Sequence, residues 1–225
     1  RHQNNLNLLF VNGSTLESHL VHNEKDAAYV DITDDLTYLK DNSFIWTSEK
    51  DGYNHIYHYS SSGKLISQIT KGDWEVTNYY GYDDSTKRLF YQSVEDGSTN
   101  RTIYSIKLNG KDKKRLSSSS GTNSAAFSNS FNYYINTYSD AGTPPIYTLN
   151  EAKSGKQLKE IKNNKWLTEK LSNYNISPKE FFSLKTDNGE FNTWMIKPND
   201  FNPNKKYPLF MYQYFAFVSI HRDNS

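Results

Sequence analysis

The chain has 225 residues, with 26 Lys and Arg against 25 Asp and Glu, for a formal net charge of +1. That balance removes the electrostatic reason to expect nucleic acid or an anionic membrane as partner, and the lack of cysteine removes disulfides and thiolate metal sites. A mean hydropathy of −0.85 beside 15% aromatics excludes disorder, because disordered segments are poor in aromatics.

The same pairing fits many short, half-buried strands in which Tyr and Phe pack and polar residues meet water. The length suits one large domain or one and a half ordinary ones. No apolar run approaches the roughly 18 residues of a membrane span. Arg1-His2-Gln3-Asn4-Asn5 reads as already inside structure and not as an export signal, so an upstream part is expected.

In chain order, Leu6 to Phe10, Asn12-Gly13 and Ser18 to Val21 predict a hairpin. A repeat follows. Its units begin at Phe44-Ile45-Trp46, Leu89-Phe90-Tyr91 and Tyr133-Tyr134-Ile135, spaced 45 and 44 residues apart. Each opening strand meets a polar turn (Asp51-Gly52, Asp96-Gly97, Asp140-Ala141-Gly142) and then a second strand at Ile56 to Tyr59, Ile103 to Ile106 or Ile146 to Leu149. A glycine turn follows at Ser62-Gly63-Lys64, Asn109-Gly110-Lys111 and Ser154-Gly155-Lys156, and then a third strand at Leu65 to Ile69, Lys114 to Leu116 and Gln157 to Ile161. Asp-Gly between such runs is a hairpin signal. Four-stranded units recurring every 40–50 residues are what propeller blades look like in sequence; a plain antiparallel meander or sandwich is the alternative.

The repeat stops after Ile161. Lys165 to Tyr174 has helical spacing at Leu167 and Leu171, Glu180 to Thr186 and Phe191 to Ile196 alternate as strands around Asp187-Asn188-Gly189, and Tyr207 to Tyr214 predicts a buried strand. The expected organisation is a partial β-propeller over 1–164, a linker helix with the first strands of a second domain over 165–214, and an atypical tail over 215–225.

Phe44 to Tyr57 (FIWTSEKDGYNHIY), Gln68 to Val76 (QITKGDWEV), Thr143 to Leu149 (TPPIYTL) and Trp194 to Tyr212 (WMIKPNDFNPNKKYPLFMY) together resemble the dipeptidyl peptidase IV family of prolyl-oligopeptidase-type serine peptidases, in the family's order. The resemblance implies a mainly β fold: about three and a half four-stranded blades running into the first strands of an α/β-hydrolase domain. It implies release of N-terminal dipeptides after Pro or Ala, a peptide substrate, no cofactor, no metal, a homodimer in the intact family, and a periplasmic or cell-envelope location.

The family's Gly-Trp-Ser-Tyr-Gly elbow does not occur among the eleven glycines here. A serine nucleophile needs a strained turn, a His within reach and a carboxylate orienting that His. His55 and His58 read as solvent-side strand positions. His19 and His22 lie near Glu24 and Asp26 with no third ligand at a helical or hairpin spacing. The family's paired glutamates, which hold the substrate's amino terminus, are expected upstream of Arg1; Glu24, Asp34 and Asp35 do not match that motif and read as solvated turn acids. The resemblance places Tyr214 at the oxyanion-binding tyrosine that ends a family strand. After it the family has a Gly-rich tight turn, whereas this chain has Phe215-Ala216-Phe217, so 215–225 reads as the product of a frameshift, premature stop or broken gene model. The chain alone is therefore expected to be inactive, with a free-standing propeller-type module for peptide or protein binding as the rival reading; a polysaccharide-binding propeller fits less well, given the segment from Glu180 to Tyr214.

Overall fold

The computed structural model describes residues 3–118 and 120–212. They fall into two compact units, one containing residues up to 140 together with 145–163, the other 141–144 together with 164 onward.

The larger unit is antiparallel throughout its named sheets. Strands β1 (Asn5–Val11) and β2 (Ser18–Lys25) form a hairpin. Three meanders of four strands follow. The first holds β3 (Thr37–Tyr38), β4 (Phe44–Ser48), β5 (His55–Tyr59) and β6 (Leu65–Gln68). The second holds β7 (Val76–Asp83), β8 (Arg88–Ser93), β9 (Thr102–Lys107) and β10 (Lys114–Arg115). The third holds β11 (Thr122–Phe127), β12 (Tyr133–Ser139), β13 (Ile146–Glu151) and β14 (Gln157–Lys162).

Strand alternation sorts the side chains between layers. From the first meander, Phe44, Trp46, Tyr57 and Tyr59 pack against Val21, Leu6 and Leu8 of the hairpin. The intervening Ile45 and Ile56 face the second meander and join Val76, Leu89, Tyr91 and Ile106 there. The second meander divides in the same way: its Phe90 and Ile103 turn to the third, against Tyr134, Ala152 and Phe127. Both faces of β4, β5 and β8 are thus covered, and every residue of those strands is buried. Aromatics fill the layers with defined geometry, as in the Phe44–Tyr59 stack at 5.3 Å and the Tyr91–Tyr104 stack at 5.6 Å.

Two sequence expectations change here. Each meander begins one strand earlier than the repeat suggested, with β3, β7 and β11 preceding the strands at Phe44, Leu89 and Tyr133. These first strands carry weak patterns: β3 has two residues, β7 contains Gly81 and two register shifts, and β11 (TNSAAF) is small and polar. The Asp-Gly pairs also close longer loops instead of two-residue hairpins; Gly52 N–H donates to Glu49 O at 2.8 Å within the segment joining Ser48 to His55.

The repeated glycine turns have a packing cause. A Cβ at Gly63 would overlap the carbonyl oxygen of Val21 in the preceding layer, and one at Gly155 would lie 2.7 Å from the carbonyl oxygen of Leu116. Both glycines sit at positive φ, +79° and +75°, where L side chains are strained in any case. Each meander's last turn therefore presses its bare backbone onto the end of the layer before it.

In the smaller unit, α1 (Lys165–Leu171) buries no residue, and β15 (Lys179–Thr186) pairs in unbroken register with β16 (Gly189–Ile196). The expected buried strand from Tyr207 is not formed over 207–212, where Leu209 is 82% and Phe210 91% exposed. A buried strand needs hydrogen-bonded neighbours and covered faces, and β15 and β16 pair only with each other among the described residues of this unit.

Replacing Gly63 by Ala is expected to lower the urea unfolding free energy by at least about 1–3 kcal/mol. Gly13→Ala, at a position with open space around it, is expected to stay within about 0.5 kcal/mol. Equal effects in the two denaturation curves would contradict the backbone contact.

Candidate functional site

One covered group of polar side chains in the larger unit lies where the β1–β2 hairpin meets the first meander. Register places His22 opposite Leu8 and Glu24 opposite Leu6, and both polar side chains are nine-tenths covered, each at 11% exposure. His22 Nε2 is 3.5 Å from Glu24 Oε1, an ion-pair distance, and the His22 ring lies 4.5 Å from that of Tyr59. Ser48 and Trp46 add their interactions to the same carboxylate. Burial pushes the Glu24 pKa up, but the interactions with His22, Ser48 and Trp46 outweigh it and hold it below the ordinary glutamate value. Lys50 closes the group. Its Nζ donates to Tyr59 Oη at 2.8 Å and sits 3.9 Å from the Tyr57 ring centre. Burial lowers the Lys50 pKa, opposed by Glu24 and Asp51.

The next layer repeats the theme at its loop. Tyr104 Oη donates to Asp96 Oδ2 at 2.6 Å, Arg115 Nη2 donates to Asp96 Oδ1 at 2.7 Å, and Lys113 Nζ pairs with Glu95 at 2.6 Å. Lys113 and Arg115 of the basic run from Lys111 to Arg115 thus pair their charges across the loop. These arrangements fasten loop to sheet and present no nucleophile–base relay.

The histidines differ from their sequence reading. His55 is fully buried and His58 is 8% exposed, because β5 is central in its sheet and has another layer on each face. His55 Nε2 donates to Gly72 O at 3.0 Å, since a carbonyl can only accept, and Nδ1 meets Thr70 Oγ1 at 3.1 Å. His58 Nε2 meets Ser43 Oγ at 2.8 Å, and Ser43 Oγ donates to Asp41 Oδ1 at 2.5 Å. That trio has the residue types of a serine triad in the wrong order: the carboxylate binds the serine and does not orient the imidazole, and Ser43 is buried. Glu24 is likewise a covered strand residue and not a solvated turn acid.

Asp35 is half-buried and accepts a hydrogen bond from Thr47 Oγ1 at 2.9 Å, while Asp34 is exposed. With Tyr79, Tyr80 and Gly81 of β7 they line a shallow cleft of about 170 Å³. The sequence reading passed over Tyr79 and Tyr80 because the strand carrying them was not recognised; the tandem tyrosine before Gly81 was the available signal. Among the described residues no cluster of three or more His, Asp or Glu is placed to hold a metal ion. Tyr214, His2, His221 and the segment 215–225 lie outside the described residues.

Three stacked four-stranded meanders with a leading hairpin make this a partial β-propeller. The profile described as the dipeptidyl peptidase IV (DPP IV) N-terminal region matches residues 1–145, and the chain belongs to that family. The dipeptidyl peptidase 4 of Arthroderma otae is 33% identical over 176 residues, which are 76% of this chain and 22% of that protein. A probable dipeptidyl peptidase 4 of Aspergillus flavus is 32% identical over 196 residues, 85% of this chain and 23% of that protein. The crystal structure of Porphyromonas gingivalis dipeptidyl peptidase 4 superposes with a TM-score of 0.86 at 39% identity, over 92% of this chain and 29% of that one. The Bacteroides ovatus structure described as a putative dipeptidyl aminopeptidase IV shares the fold, with a TM-score of 0.77 at 24% identity. The chain spans about a fifth to a quarter of the curated relatives' length.

Glu24→Gln is expected to cost about 1–3 kcal/mol of stability at pH 7, because a covered carboxylate paired with His22 is lost. Glu24 has a folded-state pKa below its ordinary value, so its contribution is present above that value and fades as the pH falls through the folded one. The gap between wild type and variant in urea denaturation should therefore narrow below about pH 4; a gap independent of pH would contradict the assignment.

Proposed function

We propose that this chain is part of a serine exopeptidase of the dipeptidyl peptidase IV type, in which the intact protein releases N-terminal dipeptides ending in Pro or Ala. The observation that carries the reading is the 39% identity to the Porphyromonas gingivalis enzyme sustained over 92% of the chain, well past the propeller strands. In this reading the blades shape the approach of a peptide to the catalytic domain. Residues 165–214 supply the linker helix and the first strands of an α/β-hydrolase domain, and Tyr214 supplies the hydroxyl that steadies the oxyanion.

The 225 residues contain no Gly-x-Ser-x-Gly elbow, and in this reading the family's nucleophile, His and Asp belong to the rest of the intact protein. The chain by itself is therefore inactive in this reading, and export to the periplasm or cell envelope, like homodimer formation, follows from the family. Among the described residues no helix is long and apolar enough to cross a membrane. The exposed apolar run at Leu209, Phe210 and Met211 supports the strand assignment, because such a run is suited to pairing within a larger sheet.

The test is hydrolysis of a Gly-Pro chromogenic dipeptide by the purified chain, with circular dichroism on the same sample. A β-rich spectrum without turnover is the expected result. Turnover above a matched mock purification overturns the inactivity of the chain, and binding of peptides without any turnover in the intact protein favours a propeller-type binding module.

A further inference from the structure

Asn-Gly pairs occur three times, at Asn12-Gly13, Asn109-Gly110 and Asn188-Gly189. Such a pair carries its own chemistry, because the glycine nitrogen can attack the side-chain carbon of the asparagine. All three asparagines are exposed, so access to water does not separate them. The state of the glycine N–H and of the side-chain oxygen does.

Gly110 N–H donates to Lys107 O at 2.8 Å, and a Cβ on Gly110 would lie 3.3 Å from the carbonyl oxygen of Ile69 in the preceding layer. Gly189 opens β16 in register with Thr186, whose Oγ1 donates to Gly189 O at 3.2 Å. Closing a ring at either pair breaks contacts already made. Gly13 has none to break. Its N–H donates to no group among the described residues, nothing lies within 4 Å of a Cβ built on it, and every residue from 11 to 20 is exposed.

A second difference lies on the side chain. Asn12 Oδ1 accepts from Ser14 N–H at 2.9 Å and from Thr15 N–H at 3.1 Å. Asn109 Oδ1 accepts only from Lys111 N–H, at 3.1 Å, among the described residues. Attack on the amide carbon drives negative charge onto this oxygen, and N–H donors already aimed at it stabilise that charge.

We propose that Asn12 is a site of spontaneous deamidation, favoured by the fold over the other two Asn-Gly pairs. The Gly13 nitrogen gives its proton to solvent and bonds to Asn12 Cγ. The Cγ–Nδ2 bond breaks, Nδ2 takes up a proton and leaves as ammonia, and a five-membered succinimide remains. One water then opens the ring at either carbonyl, giving aspartate or β-linked isoaspartate, with no oxidant or reductant involved. The product alters the β1–β2 turn. Asn12 N–H donates to Glu17 O at 2.9 Å and Leu16 N–H donates to Asn12 O at 2.8 Å; isoaspartate adds one main-chain carbon between those two groups, and a new carboxylate, at the tip of the hairpin whose Phe10 packs on Phe44.

The test incubates the folded 225-residue chain in mildly alkaline buffer and follows each Asn-Gly peptide by mass spectrometry, with isoaspartate counted by enzymatic methylation. The Asn12 peptide is expected to gain one mass unit at least about tenfold faster than the Asn109 peptide, and faster than the Asn188 peptide. In concentrated urea, where the local hydrogen bonds are lost, the Asn12 and Asn109 rates should converge. Gly13→Ala should slow the reaction at residue 12 by about tenfold, because a Cβ narrows the backbone freedom that ring closure uses, with an unchanged circular dichroism spectrum. An intact Asn12 in the aged folded chain, equal folded-state rates at Asn12 and Asn109 or at Asn12 and Asn188, or a rate advantage of Asn12 that persists undiminished in urea would each overturn the proposal.

Discussion

The larger unit depends on covering both faces of its first and second meanders. A sheet whose central strands carry apolar residues at successive positions, as β4, β5 and β8 do, has no side to give to water and needs a layer on each face. The first and second meanders meet this condition. Their central strands send alternate residues in opposite directions, Ile45 and Ile56 one way and Phe44, Trp46, Tyr57 and Tyr59 the other. The close approach of Gly63 to the backbone of Val21, repeated at Gly155 and Leu116, allows adjacent layers to meet without a gap.

That arrangement explains why so many polar groups are buried and how they are tolerated. Strand residues such as His55, His58 and Arg88 cannot turn to solvent, so each finds partners within the unit: Gly72 and Thr70, Ser43, and Ser105 with Asp112. Tyr104 and Tyr59 do the same at greater reach, filling apolar layers with the ring while the hydroxyl meets Asp96 or Lys50. The covered Glu24 belongs to this scheme, binding the leading hairpin to the first meander.

The conformation of 207–212 shows the same constraint from the other side. Leu209 and Phe210 have the composition of a core strand, but composition does not supply the strands on either side that a buried strand requires. In the proposed reading, these residues start an α/β-hydrolase sheet in the intact protein, which gives that apolar run a role.

The sequence by itself determined the number of layers, their spacing and most strand positions, because hydrophobic alternation and glycine turns are local signals with a fixed period. It also determined the family, through segments such as FIWTSEKDGYNHIY kept in order. Only the tertiary structure decided which strand face met water, since His55 and His58 sit in an alternating pattern whose two sides are both covered. Tertiary contacts likewise exposed the first strand of each meander, too short or too irregular to read alone. They also brought Asp34 and Asp35 beside Tyr79 and Tyr80, residues more than forty positions apart whose meeting depends on how two successive sheets stack.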